Sequence, residues 1–97
     1  MKLLRIIDSP KSGKEFRAVF QTDSGRLKHT DFGDPNLEQY TEHGDVDRRE
    51  RYRARHKKDL ETNDPTRAGY LSYYILWGDS KSMKQNISAY KKKFNLD

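Results

Sequence analysis

The chain has 97 residues, which is enough for one small domain and too few for a catalytic module beside a binding module. Its formal net charge of +5 suits a nucleic acid, an anionic membrane surface or an acidic protein as a partner. Cysteine is absent, which excludes disulfides, thiolate nucleophiles and zinc knuckles. The apolar run after Met1 is too short for a signal sequence or a membrane span, so we expect a protein made inside the cell and not secreted.

The composition predicts a thin hydrophobic core. Apolar residues make up 32% of the chain, against about 45–50% in an average soluble domain. The excess positive charge lies entirely in residues 45–97. We therefore expect one domain that is marginally stable alone, with a basic C-terminal half that binds a partner.

Residues 1–32 predict an antiparallel meander of two or three strands. Residues 3–8 are mostly apolar and residues 15–22 alternate, with turn signals between and after them. The alternation places Phe16, Ala18 and Phe20 on one face. Because a two-stranded sheet is rarely stable alone, this face needs a helix over it.

Residues 33–46 are rich in Gly, Asp, Asn and Pro, and they predict a connecting loop anchored by Leu37 and Tyr40.

The first helix is expected at 47–60, where Asp47 can cap it and no Gly, Pro or β-branched residue interrupts it. Its apolar line is narrow and consists of Tyr52, His56 and Leu60. Most of this helix should therefore face solvent or a partner.

Two further helices are expected at 65–77 and 82–94. Asp64 and Pro65 resemble a helix start and Gly78 a helix stop, although the Tyr, Ile and Trp content between them also suits a strand. A capping box begins at Ser82 and precedes a stripe formed by Met83, Ile87, Tyr90 and Phe94. The predicted fold class is α+β, a β-meander followed by three helices in a single domain of residues 1–97.

No residue pattern indicates catalysis. His43, Asp45 and Asp47 alternate and could hold a divalent ion, but their spacing fits neither a calcium loop nor a zinc-binding helix, so a turn-and-cap role is favoured. A glycine-rich phosphate loop and a nucleophile elbow are both missing. We therefore expect no enzyme activity, cofactor, metal site or small-molecule substrate.

The strongest local signal is the basic run 48–58, which contains seven cations and one anion. A solvated helix face would explain it, but the preference for Arg over Lys at its N-terminal end favours an interface. The aromatic run 70–77 is first of all expected in the core, with some rings free for a partner. The predicted partner-binding residues are Arg48, Arg49, Arg51, Tyr52, Arg53, Arg55, Tyr70, Tyr73 and Trp77.

Several short motifs, spread from about residue 16 to the end of the chain, resemble a known group of proteins. They are Phe32-Gly33, Tyr40-Thr41-x-His43, the Arg-Tyr-Arg-Ala-Arg-His of 51–56, the Ala-Gly-Tyr-Leu-Ser and Ile-Leu-Trp of 68–77, and the Asn-Ile-x-x-Tyr-Lys-Lys-Lys-Phe-Asn-Leu of 86–96. Together they resemble a family of short uncharacterised proteins of nucleocytoplasmic large DNA viruses, including algal viruses, that is associated with minor capsid proteins.

This resemblance implies a minor capsid protein of a large icosahedral virion, located in the virion and bound to major and other minor capsid proteins. It implies no catalytic residues. The residues themselves leave an alternative open, a small basic protein that binds DNA through helix 47–60. For a capsid protein only weak nonspecific nucleic-acid binding is expected, and contact with a membrane is left open.

Overall fold

The alternating residues of the first third form a three-stranded antiparallel sheet in the computed structural model, which describes all 97 residues. The strands are β1 (Lys2–Asp8), β2 (Phe16–Gln21) and β3 (Leu27–Phe32), in the order β1-β2-β3. Four α-helices follow the sheet. The predicted α+β class and the N-terminal meander are therefore confirmed.

The register of the sheet explains which residues enter the core. In β2, Ala18 lies between Ile6 and Thr30, and Phe20 lies between Leu3 and Lys28. Leu3, Ala18, Phe20 and Phe32 are buried on this inner face, and Phe16 is half-buried there. The predicted face of Phe16, Ala18 and Phe20 is thus confirmed, and the helices cover it.

The segment 33–46, predicted as a loop, contains a short helix, α1 (Tyr40–His43). Gly44 ends this helix with a φ of 67°, and its N–H donates to the carbonyl of Tyr40. Tyr40 is buried as predicted, whereas Leu37 remains 38% exposed and anchors nothing. The loop prediction is corrected to this extent, because a left-handed glycine allows one helical turn where the composition suggests only a connection.

The basic run forms α2 (Val46–His56), which continues as a 3₁₀ helix (Lys57–Thr62). The cap is Asp45, whose side chain accepts the Arg48 N–H at 3.2 Å, so the prediction of Asp47 as the cap is wrong. Tyr52 is buried, and Leu60 is partly buried against the core. The helix at 47–60 is confirmed, with a tighter final turn than predicted.

The helix predicted at 65–77 begins later, as α3 (Ala68–Leu71), and runs into a π-helical turn (Ser72–Leu76). Asp64 accepts hydrogen bonds from the N–H and hydroxyl of Thr66, which makes a turn there instead of a first helical turn at Pro65. The prediction of Pro65 as the first helical residue is therefore wrong, and so is the strand alternative. Leu71, Ile75 and Leu76 are buried.

The last helix, α4 (Met83–Lys93), agrees closely with the predicted 82–94. Ser82 caps it by accepting the Gln85 N–H at 3.2 Å. Within the predicted stripe Tyr90 is buried, while Met83, Ile87 and Phe94 are only partly buried. After the helix, Leu96 is buried, and its carbonyl accepts the Leu3 N–H at 2.8 Å, which joins the C-terminal segment to β1. None of the helices has the length and apolar character that crossing a bilayer requires.

Candidate protein-interaction surface

The arginines of α2 divide into two groups, and one group faces the protein itself. Arg49 and Arg53 lie one turn apart, with side chains only 14% and 19% exposed. Arg53 Nε donates to the carbonyl of Trp77 at 2.9 Å, and its Nη2 donates to the Asp79 carboxylate at 2.9 Å. Arg49 Nη1 donates to the carbonyl of Asp79 at 3.3 Å. These two side chains therefore hold α2 against the turn at 77–79.

Further contacts of Arg49 and Arg53 hold α2 in place. Glu50 accepts hydrogen bonds from Arg49 at 2.9–3.0 Å and lies 3.9 Å from Arg53, so it is an ion-pair partner of both arginines within the helix. The Arg49 guanidinium also lies 4.7 Å from the centre of the Tyr40 ring, a cation–π distance. Arg49 and Arg53 are thus engaged within the protein, and their predicted role in partner binding stays a prediction.

The second group points away from the protein. Arg51 and Arg55 are exposed, Arg48 is 37% exposed and lies 4.0 Å from Glu38, and Lys58 is exposed where the 3₁₀ helix begins. Because an α-helix has 3.6 residues per turn, positions 48, 51 and 55 lie close together on one face. We call Arg48, Arg51, Arg55 and Lys58 the outer basic row. Arg51 and Arg55 form no ion pair within the chain.

The predicted aromatic contacts are mostly core residues. Tyr52 stacks on Trp77 with ring centres 4.1 Å apart and 4° between the planes, and His56 stacks on the other face of Tyr52 at 4.2 Å. Tyr70 is buried and donates its hydroxyl to the Leu60 carbonyl at 2.6 Å. The rings of Tyr52, Tyr70 and Trp77 are thus occupied by packing inside the protein, and their predicted role in partner binding stays a prediction.

The aromatic packing extends to α1, where the His43 ring lies tilted against Trp77, and it includes two buried N–H groups that have no acceptor. The His43 ring lies 5.2 Å from that of Trp77, and His43 Nδ1 accepts the Asp45 N–H at 2.8 Å. The proton of the neutral imidazole is therefore on Nε2. That nitrogen and Trp77 Nε1 are buried and have no hydrogen-bond partner. The turn-and-cap prediction is confirmed for His43 and Asp45, and no group of three or more His, Cys, Asp or Glu side chains converges in the structure.

Tyr73 lies elsewhere, in a cleft between α2 and α4. The cleft has a volume of about 310 Å³, and the π-helical turn forms its floor. We call it the tyrosine cleft; its defining residues are Arg53, Tyr73, Tyr74, Asp79, Tyr90 and Lys93. Burial, followed by the nearby Tyr73 and Tyr70, raises the pKa of Tyr74, so its hydroxyl is neutral at physiological pH.

Residues that sequence analysis missed shape this cleft. The Asn86 side chain donates to the carbonyls of Ile75 and Ser80 at 2.8 and 2.7 Å and accepts the Ser80 N–H at 3.0 Å. Gly78 is required beside it, because a Cβ there would lie 2.2 Å from the carbonyl oxygen of Tyr74. The sequence marks Gly78 only as a helix stop, and Asn86 carries no local signal because its partners belong to another element.

His56 and Asp59 form the most enzyme-like pair, with Nδ1 and Oδ2 3.0 Å apart. Both side chains are more than a third exposed, and the pair joins α2 to the 3₁₀ helix. The imidazole packs on Tyr52, and no serine, threonine or tyrosine hydroxyl is hydrogen-bonded to it as a nucleophile would be. The His56–Asp59 pair therefore connects α2 with the 3₁₀ helix.

A family model described as a family of unknown function (DUF5754) matches residues 4–56, just over half of the chain. The matched stretch includes the sheet from Leu4 onwards, α1 and all of α2. Neither a curated protein nor a solved structure matches the chain.

Proposed function

We propose a function from the surface chemistry, because the chain belongs to the DUF5754 family and that family has no assigned function. The protein binds other proteins through the outer basic row of α2. It does so as a minor capsid protein that ties capsid proteins together in a large icosahedral DNA virus. The observation that carries the binding role is the division of the α2 arginines into an inner, engaged pair and an outer row in which Arg51 and Arg55 form no ion pair.

This division favours an interface, because Arg49 and Arg53 attach α2 to the rest of the domain and so hold the helix that carries the outer basic row in one orientation. Arg49, Arg53 and the stacked Tyr52 fix the orientation of α2 on the domain. A fixed helix loses less conformational freedom on binding than a mobile one. Planar guanidinium groups on such a helix can pair bidentately with carboxylates of a partner.

The capsid assignment rests on the resemblance of the motifs between residue 16 and the C-terminus to proteins of large DNA viruses. A thin core supports it, since only 18 of 97 residues are buried and a neighbouring subunit would add to the stability of such a domain. Under this proposal the partners are major and other minor capsid proteins, and the location is the virion.

The test measures binding to the capsid proteins and incorporation into particles for Arg51→Ala, Arg55→Ala and Arg51→Lys. We expect either alanine change to weaken binding about tenfold, and the lysine change to restore little of it, because an ammonium cannot form the bidentate pair. Arg26→Ala is the matched control, since it removes an exposed arginine from the turn between β2 and β3. If the Arg26 change weakens binding as much as the α2 changes, the outer basic row is not the contact.

A second candidate, DNA binding, is favoured by the spacing of the outer arginines at positions 48, 51 and 55. A phosphate backbone would take all four cations of the outer basic row nearly equally, so log K should fall against log salt with a slope of about −3 to −4. The Arg→Ala variants would then bind DNA more weakly than wild type, whereas the Arg→Lys variants would bind it with an affinity close to that of wild type. Tight DNA binding with this profile, and particle incorporation unaffected by the variants, would replace the capsid proposal.

A further inference from the structure

We infer that the tyrosine cleft binds an acidic peptide segment of the partner, one in which an apolar side chain lies next to a carboxylate. This rests on the proposed function, and it adds a second contact, on the other side of Arg53 from the outer basic row. The cleft has the aromatic floor, the unpaired cation and the size that such a segment requires.

The floor of the cleft consists of aromatic rings that are held in place by packing against other rings. Tyr73 and Tyr74 have ring centres 4.9 Å apart, and Tyr74 packs edge-on against Phe94 at 5.3 Å. Both tyrosines are only half-buried, so part of each ring faces the cleft. Rigid, partly exposed aromatic rings are the groups that most often anchor an apolar side chain at an interface.

The walls of the cleft carry a net positive charge. On the α2 side Arg53 is already paired with Asp79 at 2.9 Å. On the α4 side Lys93 is exposed and belongs to none of the ion pairs of the chain. Its Nζ lies 5.7 Å from the centre of the Tyr74 ring, directly beside the floor. A carboxylate is therefore the complementary group, and it would meet Lys93.

The size of the cleft sets the length of the segment. A volume of about 310 Å³ is at the lower end of ligand sites. It accommodates one apolar side chain and its immediate neighbour, so the occupant is a short peptide and not a cofactor. Acidic residues on both sides of the apolar one would place a carboxylate near Lys93 in either chain direction.

The test uses the full chain and the tripeptide acetyl-Glu-Leu-Glu amide, with acetyl-Gln-Leu-Gln amide as the uncharged probe. Titration followed by amide chemical shifts should move the signals of Tyr73, Tyr74 and Lys93. The Glu peptide should bind about two- to fivefold more tightly than the Gln peptide, which is the range for one exposed ion pair. Lys93→Gln should abolish this preference, and Lys92→Gln, an equal charge change one residue away, should preserve it.

Equal binding of the two peptides, or shifts confined to the outer basic row, would overturn the inference. An oligothymidylate that shifts Tyr73 and Tyr74 while the Glu peptide does not would also overturn it, in favour of bases stacking on the cleft. The proposed function is tested separately by the Arg51 and Arg55 variants. If these weaken capsid-protein binding and Lys93→Gln does not, the cleft inference fails while the proposed function stands.

Discussion

Trp77 is the residue at which the aromatic packing converges. It lies between the rings of His43 and Tyr52, and its carbonyl accepts the Arg53 hydrogen bond. Its ring is 98% buried, yet Nε1 has no acceptor. The Trp77 side chain thus stabilises the fold by packing and at the same time buries one N–H group without an acceptor. Different substitutions of Trp77 can measure the two effects separately.

We expect Trp77→Ala to reduce the free energy of unfolding by about 3–5 kcal/mol, the usual cost of a cavity of this size. Trp77→Phe should cost clearly less, because it keeps an aromatic ring in the stack and removes the buried N–H that has no partner. Urea unfolding of both variants provides the comparison. Equal losses for the two variants would mean that the indole N–H has an acceptor in solution.

Asp31 makes the best-defined ion pair on the outer face of the sheet. Arg17 Nε and Nη2 donate to its two carboxylate oxygens at 2.8 and 3.1 Å, and Ser9 donates a further hydrogen bond. Hydrogen bonding from Arg17, followed by that from Ser9 and the Arg17 charge, lowers the pKa of Asp31 to about 2. Its ordinary value is 3.8.

A lowered pKa means that the folded protein binds this proton less readily than the unfolded chain does. The stability contributed by Asp31 is therefore complete above about pH 5 and is lost as the pH falls through 2. We expect Asp31→Asn to lower the urea midpoint at pH 6, and the difference from wild type to shrink between pH 4 and pH 2. Glu61→Gln, which removes one negative charge at an exposed position, is the control for the change in net charge. A difference that stays constant with pH would contradict the assignment.

At the scale of elements, α2 has two chemically different faces. The inner face contributes Tyr52, Arg49 and Arg53 to folding, and the outer face presents the basic row. No side-chain hydrogen bond or ion pair joins one face to the other. Stability and partner binding should therefore respond to different arginines.

Arg53→Ala should lower the free energy of unfolding by about 1–2 kcal/mol, because it removes the hydrogen bond to the partly buried Trp77 carbonyl. The pair with Asp79 adds little to this, since the Asp79 side chain is 93% exposed. Arg51→Ala and Arg55→Ala should change stability by less than about 0.5 kcal/mol. Thermal unfolding of the three variants measures this. An equal loss in all three would show that the outer row also supports the fold.

At the scale of the whole molecule, charge and core are distributed unevenly. The excess positive charge of residues 45–97 appears on the helical side, in the outer basic row and in the lysines at the end of α4. The core is one cluster of 13 buried residues, seven of them aromatic, between the inner face of the sheet and the helices. A few large rings do most of the packing in a domain with little aliphatic content.

We expect this core to support only a small free energy of unfolding, about 5 kcal/mol or less, with a melting temperature within the usual mesophile range of about 45–65 °C. Calorimetry on the isolated chain measures both quantities. Addition of a bound partner should raise the melting temperature by mass action. A two-state transition above about 70 °C without a partner would show that the packing of the rings compensates for the thin core.

The sequence by itself determined the elements whose signals are local. Alternation in β2, the Ser82 cap and the stripe of α4 each depend on neighbours within one turn or one strand, so they predicted the α+β order correctly. Tertiary structure alone decided the role of each arginine and each ring. Arg53 and Arg55 are equivalent in sequence, yet only Arg53 meets a carbonyl 24 residues away. Long-range packing decides which side of a polar helix faces the protein. Sequence periodicity does not predict that side of α2, because Tyr52 is the only buried apolar residue in the helix.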